Sequence, residues 1–215
     1  MTLYFHDRNE AGRLLAGKLL SFRRDPEAVV YALPRGGVIT GYEVAKMLEV
    51  PLDIVIVRKI GYPGFPECAV GAVTEKGELL YEGDETVDES WLGAIAGERR
   101  EILRRRKAYL GGRMSIPASG KTAIVVDDGI ATGLTLRAAL ISLREQKPKK
   151  LIVAVPVAPH STVKKLKREA DKVVVLEDTE PYLGSVSAYY GEFFEVSDQE
   201  VVRCLELSRE PLQLR

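Results

Sequence analysis

The sequence predicts an α/β fold in which helices flank a central parallel sheet. Short aliphatic runs alternate with segments of helical periodicity, and the stretches between successive runs are long enough for crossover helices. Such crossovers produce parallel pairing and cover both faces of the sheet. With 215 residues and 46% hydrophobic side chains, the chain is long enough for a single well-buried domain over residues 1–215.

The first half of the chain has the less regular pattern. Asp7 suits the N-cap of a helix over 7–22, and the apolar run "AVVYALP" (28–34) predicts a strand. The predicted elements that follow are a helix over 38–50, a strand over 51–60, an irregular segment over 61–67, a hairpin over 69–82 that turns at 75–77, and a long charged helix over 88–110. The segment 61–67 is predicted to be irregular because its glycines and prolines break either period.

After Gly111 and Gly112, strands and helices alternate regularly. The predicted elements are a strand over 122–127, a helix over 134–146, a strand over 151–157, a helix over 161–170, a strand over 172–177, and a short final helix that begins near Ser197 or Asp198. Together with the first half, these runs give a sheet of about five strands.

Composition argues against several classes of protein. The 31 basic and 31 acidic residues balance, so no global field favours nucleic acid or a membrane surface. The longest apolar run, 151–158, is far too short to span a bilayer, and the charged N-terminal stretch has no signal-peptide pattern. Two distant cysteines, Cys68 and Cys204, fit a reducing compartment. We therefore expect a soluble cytoplasmic protein.

The stretch "IVVDDGIATGLTL" (124–136) is the most informative motif. Its aliphatic run delivers Asp127 and Asp128 to the carboxyl end of a strand, where open parallel sheets bind ligands. The small residues that follow precede a helix, and backbone amides at such a helix start are well suited to hold a phosphate. Carboxylates for hydroxyl groups or a metal, next to amides for a phosphate, match a phosphorylated sugar.

Two alternatives for this motif remain. Acidic pairs at strand ends also occur in receiver domains, although there the pair comes early in the chain. A purely structural Asp-Asp-Gly turn is the other alternative, since these residues are common in turns. No lysine follows the glycine loop and no GxGxxG follows the first strand, so the sequence lacks the usual nucleotide-binding patterns.

Residues 123–135 resemble the signature of the type I phosphoribosyltransferases. This resemblance implies that family's fold, with a small hood from about 1–27 and 178–215 and an inserted long helix, around a core over about 28–178. It also implies binding of 5-phosphoribosyl-1-pyrophosphate (PRPP) with Mg²⁺, transfer to a nitrogen base, and a homodimer. Asp127 and Asp128 would hold the ribose hydroxyls, directly or through the metal shell. The residues that would hold the 5-phosphate are Gly129, Ile130, Ala131, Thr132, Gly133 and Thr135.

Two further segments extend the resemblance. "LPRGGVITGYEVA" (33–45) is similar to the family's pyrophosphate loop, and its site residues would be Arg35, Gly36 and Gly37. Arg58 and Lys59 follow at the next strand end, where the family often places a cation for the same group. Arg35 and Lys59, with Mg²⁺, would neutralise the departing pyrophosphate. The segment 58–73 also resembles a subgroup of predicted phosphoribosyltransferases.

One position departs from part of the family. Members that act on 6-oxopurines usually carry an aspartate where this chain has Ala131, and alanine cannot exchange a proton with the base. The departure argues against hypoxanthine or guanine as the acceptor, without naming the substrate.

Base recognition is predicted for the segment after the last core strand. Glu177 and Asp178 could accept hydrogen bonds from base N–H groups. The residues that could stack on a base ring, or instead seal an edge of the core, are Tyr182, Tyr189 and Tyr190. Glu67 and Cys68 are expected on a loop near the active site.

The basic run 98–107 allows two interpretations. Its cations are Arg99, Arg100, Arg104, Arg105, Arg106 and Lys107. They could form a nucleic-acid patch on a regulator that senses PRPP without turnover. We favour a solvated helix face with Glu98 and Glu101 in ion pairs, and do not expect nucleic acid as a partner.

Overall fold

A computed structural model of the chain describes residues 4–62, 65–81 and 89–209, without the side chains of 65–69 and 89–90. The strands are β1 (Ala28–Ala32), β2 (Leu52–Ile54), β3 (Val57–Tyr62), β4 (Phe65–Thr74), β5 (Leu79–Tyr81), β6 (Thr122–Val126), β7 (Lys150–Pro159) and β8 (Lys172–Thr179). The helices are α1 (Arg8–Gly17), α2 (Gly36–Leu48), α3 (Glu89–Leu110), α4 (Leu134–Glu145), α5 (His160–Leu166) and α6 (Asp198–Leu207).

The central sheet has five parallel strands in the order β2-β1-β6-β7-β8. Every residue of β1 and β6 is buried, as expected when helices cover both faces. Ala32 at the end of β1 lies opposite Val126 at the end of β6, so the carboxyl ends of these two strands are level. The predicted α/β fold with a flanked parallel sheet is confirmed.

The prediction of one strand over 51–60 is wrong. The chain forms β2 in the central sheet, leaves that sheet after Ile54, and then forms β3 in a separate antiparallel sheet, β3-β4-β5. Asp53 lies in the middle of β2, where its buried carboxylate accepts hydrogen bonds from the amides of Ile54 and Ile116. Burial raises the pKa of Asp53. The apolar run over 51–60 is continuous in the sequence, so its pattern does not indicate that it forms strands in two different sheets.

The described residues of the segment 61–67 are also more regular than predicted, because 61–62 and 65–67 lie in strands. β3 continues to Tyr62 and β4 begins at Phe65, with register shifts around Gly61 that accommodate the irregular residues. Glu67 and Cys68 therefore lie in β4 and not on a loop, while their side chains fall outside the described residues. The predicted hairpin is confirmed between β4 and β5, with a turn at 75–78.

Helix boundaries follow the capping residues. Asp7 caps α1 through a hydrogen bond from the Glu10 amide, 2.7 Å long, but the helix ends at Gly17, well before residue 22. Ser197 caps α6 in a capping box with Glu200. The predicted start of this helix near Ser197 or Asp198 is confirmed. The first residue of the predicted helix over 88–110 lies outside the described residues, and α3 confirms the rest.

The two terminal segments meet above the carboxyl end of the sheet. Phe5 bridges to Tyr190, and the Phe5 amide donates to the Tyr189 carbonyl at 2.8 Å. Phe5, Tyr189 and Tyr190 form a small buried cluster with Val157 of β7. This cluster places the N-terminal turn of α1 and the segment after Tyr190 beside the ends of β1 and β6. Across the described ranges, no helix has the length and apolar character needed to cross a membrane.

Candidate active site

Asp127 and Asp128 lie directly beyond β6, at the edge where ligands bind to parallel sheets. The Asp128 amide donates to Oδ1 of Asp127 at 2.9 Å, and the Asp128 carbonyl accepts from the Tyr190 hydroxyl at 2.5 Å. Burial raises the pKa of Asp127 well above its ordinary value, and the neighbouring Asp128 charge adds to this, while Lys59 opposes it. Burial likewise raises the pKa of Asp128, against the effect of Arg8.

Gly36 and Gly37, the first residues of α2, pack directly on these two carboxylates. A Cβ on Gly36 would overlap Oδ2 of Asp128, and a Cβ on Gly37 would lie 2.7 Å from Oδ1 of Asp127. Only glycine allows this approach. In the described part of the chain, no group accepts a hydrogen bond from the Gly36 or Gly37 amide. Two donors at the start of a helix thus remain available beside the aspartate pair.

The loop from Gly129 to Gly133 is anchored at two points. The Ile130 amide donates to the Val157 carbonyl, and the Thr162 hydroxyl donates to the Ala131 carbonyl, both at 2.9 Å. Gly133 has a positive φ of 82° and forms the N-cap of α4. Four backbone amides of this loop and the helix start have no acceptor within the residues described: those of Ala131, Thr132, Gly133 and Thr135. This is the donor arrangement that suits a phosphate.

Three predicted cations lie near these donors. Arg35, the N-cap of α2, forms an ion pair with Glu195. Arg58 of β3 pairs with Glu98 of α3 at 2.7 Å, and the Lys59 side chain is exposed. A cleft of about 580 Å³ opens between β3 and α3. Its lining includes Pro34, Arg58, Lys59, Tyr62, Glu98, Arg105 and Thr135. The cleft thus brings Arg58 and Lys59 of β3 together with Pro34, which precedes α2, and Thr135 in the first turn of α4.

The predicted base-binding residues lie at the end of β8 and in the segment that follows it. Glu177 and Asp178 pair in register with Val157 and Ala158 of β7, and Asp178 contacts Nδ1 of His160 at 2.9 Å. Tyr182 stacks on buried Tyr189, with ring centres 5.6 Å apart, and its hydroxyl is buried. The tyrosines Tyr182, Tyr189 and Tyr190 all belong to the small cluster that seals this edge. Packing therefore accounts for these three side chains.

Arg8 is a site residue that sequence reasoning missed. Its Nε donates to Oδ2 of Asp128 at 2.7 Å, and its NH1 donates to the Phe194 carbonyl at 2.7 Å. The guanidinium also lies 3.7 Å from the ring centre of Phe193. Glu195, the partner of Arg35, comes from the same segment and was missed as well. Nothing local in the sequence marks either residue, because each meets its partner only through the fold.

Three cations of the basic run on α3, Arg104, Arg105 and Arg106, form ion pairs. Glu101 pairs with Arg104 and Arg105, each at 2.7 Å. Arg106 pairs with Glu75 at 2.5 Å, and Glu98 pairs with Arg58 of β3. The predicted ion pairs of Glu98 and Glu101 are confirmed, although the partner of Glu98 comes from outside the helix. The nucleic-acid interpretation gains no support.

Comparisons with known proteins agree with this geometry. The family model "Phosphoribosyl transferase domain" matches residues 6–187. Rv0571c of Mycobacterium tuberculosis H37Rv is 41% identical to this chain over 208 residues, and its name assigns it provisionally to the phosphoribosyl transferases. The match covers 94% of this chain and 46% of that protein. MT0597 of strain CDC 1551 matches equally. The chain thus spans about half the length of these relatives. The crystal structure of TT1426 from Thermus thermophilus is 40% identical, with a TM-score of 0.80 and coverage of 94% of this chain and 98% of that one.

Proposed function

The chain belongs to the phosphoribosyl transferase family, and from this membership we propose that it transfers the 5-phosphoribosyl group of PRPP to a nitrogen base and releases pyrophosphate. The observation that carries the proposal is the meeting of two carboxylates with two sets of unused backbone amides. Asp127 and Asp128 lie between Gly36–Gly37 on one side and the loop 129–133 on the other. A sugar with phosphates at both ends matches this order of groups.

Each set of groups has a distinct task in donor binding. The carboxylates of Asp127 and Asp128 accept hydrogen bonds from the ribose hydroxyls. The 5-phosphate is held by the loop residues Gly129, Ala131, Thr132, Gly133 and Thr135. Ile130, also predicted to hold this phosphate, instead anchors the loop, because its amide donates to the Val157 carbonyl. The pyrophosphate is held by the amides of Gly36 and Gly37 and by the cations Arg35, Arg58 and Lys59. Binding at three points fixes C1 of the ribose in the open part of the site.

In the transfer step, the bond from C1 to the pyrophosphate oxygen breaks and a bond from the acceptor nitrogen to C1 forms. The electron pair of the broken bond leaves with the pyrophosphate, and the proton of the acceptor nitrogen passes to water. Arg35 and Lys59 stabilise the negative charge that develops on the leaving group. Fixing donor and acceptor in one orientation contributes as well. Arg35 must exchange its ion pair with Glu195 for one with the pyrophosphate.

The aspartate pair also fits Mg²⁺. This ion accepts one or two carboxylates and otherwise keeps water and substrate oxygens, so it needs no all-protein cage. No cluster of three or more metal-ligating side chains occurs among the residues described here. Asp127 and Asp128 would hold the ion through water or through the ribose hydroxyls, and the ion would supply charge neutralisation to the pyrophosphate.

For the acceptor, we propose a base other than a 6-oxopurine. Ala131 lies exposed in the phosphate loop and has no group that can exchange a proton with the base. The end of β8 supplies Glu177 and Asp178 as hydrogen-bond acceptors, and Tyr182 follows them as a ring that would have to shift from its stack on Tyr189.

The test is pyrophosphate release from PRPP with Mg²⁺ across a panel of purine and pyrimidine bases. We expect release with one base or a small group of bases, and none with hypoxanthine or guanine. The control is the double variant Asp127→Asn, Asp128→Asn, which should be silent with every base. Absence of release with all bases, in a protein that still binds PRPP, would contradict transfer to a common base.

A further inference from the structure

Two neighbouring arginines of α3 direct their side chains to different places. Arg104 and Arg105 both pair with Glu101, each with Nε 2.7 Å from a carboxylate oxygen. The Arg104 side chain is 52% exposed and continues to Asp198 of α6, which is 3.0 Å away. The Arg105 side chain is only 13% exposed. The basic run of the sequence is therefore not one uniform surface.

Arg105 forms part of the cleft between β3 and α3. It lines the same space as Arg58 and Lys59 of β3 and Thr135 of α4. Among the described residues that line this cleft, three are cations and Glu98 is the single carboxylate. Even when Glu101, the partner of Arg105, is counted, the cations outnumber the carboxylates, and positive charge in a partly enclosed space favours an anionic ligand. The Glu101 carboxylate holds the Arg105 guanidinium in place without filling the cleft.

Tyr109 connects α3 to α6 through a side-chain hydrogen bond. This tyrosine is buried one turn after Arg105, and its hydroxyl donates to Asp198 at 2.6 Å. Burial raises the pKa of Tyr109 to about 12, and the hydrogen bond to Asp198 adds to this, while the charges of Arg105 and Arg35 act in the opposite direction. Pro34, which directly precedes Arg35, lines the same cleft as Arg105, so α3 and the loop before α2 face one space.

We propose that Arg105 is a further pyrophosphate-binding residue, which contacts the leaving group from the α3 wall of the cleft. The inference rests on the proposed function, because it assigns Arg105 to the pyrophosphate of the same donor. It also gives α3 a part in the reaction. The planar guanidinium of Arg105 can donate two parallel hydrogen bonds to phosphate oxygens, whereas Lys59 acts as a point charge.

Arg104 provides a matched control, since it has the same residue type, the same helix and the same partner Glu101. Calorimetry on the full chain would measure the binding of inorganic pyrophosphate with Mg²⁺ and, separately, of ribose 5-phosphate. We expect Arg105→Gln to weaken pyrophosphate binding on the order of tenfold and to leave ribose 5-phosphate unchanged. Arg104→Gln should change neither. Arg105→Lys should recover part of the pyrophosphate affinity, which a loss of folding would not allow.

The outcomes separate this inference from the proposed function. If the unmodified chain binds both probes but Arg105→Gln binds pyrophosphate normally, the inference fails and the proposed function stands. Equal losses in Arg104→Gln and Arg105→Gln would also overturn it, because they would indicate a general effect of α3. If the unmodified chain binds neither probe, the proposed function fails together with the inference.

Discussion

Nε of Arg8 lies 2.7 Å from Oδ2 of Asp128, with the two side chains only 11% and 15% exposed. The first residue of α1 thus supplies a cation to a carboxylate that follows β6. The same guanidinium binds the Phe194 carbonyl and covers the Phe193 ring. One arginine therefore ties both terminal segments to the aspartate pair.

This contact predicts a measurable coupling energy. Arg8→Ala leaves a largely buried carboxylate without its partner, so we expect the free energy of unfolding to fall by about 2 kcal/mol. In the Asp128→Asn background the same change should cost less, by about 1 kcal/mol or more. Urea denaturation of the four proteins in the cycle measures the difference. Arg13→Ala is the control, because Arg13 is half exposed and lies 3.9 Å from Glu43. Strict additivity would contradict a direct interaction.

The contact of Gly36 with Asp128 predicts that a single methyl group disrupts the site. Gly36→Ala should displace the Asp128 carboxylate, weaken PRPP binding, and lower the free energy of unfolding by about 1–3 kcal/mol. Gly93→Ala in α3 introduces the same methyl group where nothing lies within 4 Å. That control should bind PRPP normally and gain up to about 1 kcal/mol of stability. Normal PRPP binding by Gly36→Ala would argue against the close approach.

Arg35 predicts a selective loss at the pyrophosphate end of the donor. Arg35→Ala should weaken pyrophosphate binding by about tenfold or more while ribose 5-phosphate binding changes little. Glu195→Gln removes the carboxylate that pairs with Arg35, so pyrophosphate binding should be equal or tighter in that variant. Calorimetry with the two ligands distinguishes these cases. Equal losses for both ligands in Arg35→Ala would contradict the assignment.

Glu101 predicts a pH-dependent contribution to stability. Hydrogen bonds from Arg104 and Arg105 lower the pKa of Glu101 from 4.5 to about 2 in the folded protein. Because the folded pKa lies below the unfolded one, the ionised carboxylate stabilises the fold above about pH 4.5, and this contribution disappears as pH falls toward 2. Glu101→Gln should lower the free energy of unfolding by about 1 kcal/mol at pH 7. Denaturation at several pH values should show this difference shrinking in acid, and a constant difference would contradict the assignment.

The parts of the fold that could be predicted depend on local patterns. The β6–loop–α4 unit is written in consecutive residues, because an aliphatic run, the aspartates, the glycines and a helix-forming segment follow one another between 122 and 145. The capping residues likewise mark the starts of α1 and α6, whereas α2 begins at Gly36, two residues before the predicted start at 38. Each of these predicted features is specified by neighbouring residues, so the sequence indicates them without knowledge of the rest.

The parts that could not be predicted depend on distant partners. Arg8 meets a carboxylate 120 positions away, and Arg35 meets one 160 positions away. The predicted strand over 51–60 is divided between two sheets, with β2 in the central sheet and β3 in the antiparallel sheet. Its apolar composition suits either sheet and so does not mark the division. Tyr182 offered a ring for stacking, but the folded chain supplies Tyr189 as its neighbour. The roles of such residues follow from tertiary contacts.

The central claim is that the aspartate pair binds PRPP, and the most direct measurement is calorimetric titration of PRPP with Mg²⁺. The comparison is between the unmodified chain and the double variant Asp127→Asn, Asp128→Asn. We expect the unmodified chain to bind, and the double variant to lose on the order of a hundredfold in affinity while its circular dichroism and cooperative unfolding are retained. A folded double variant that binds PRPP as tightly as the unmodified chain would contradict the site proposed here.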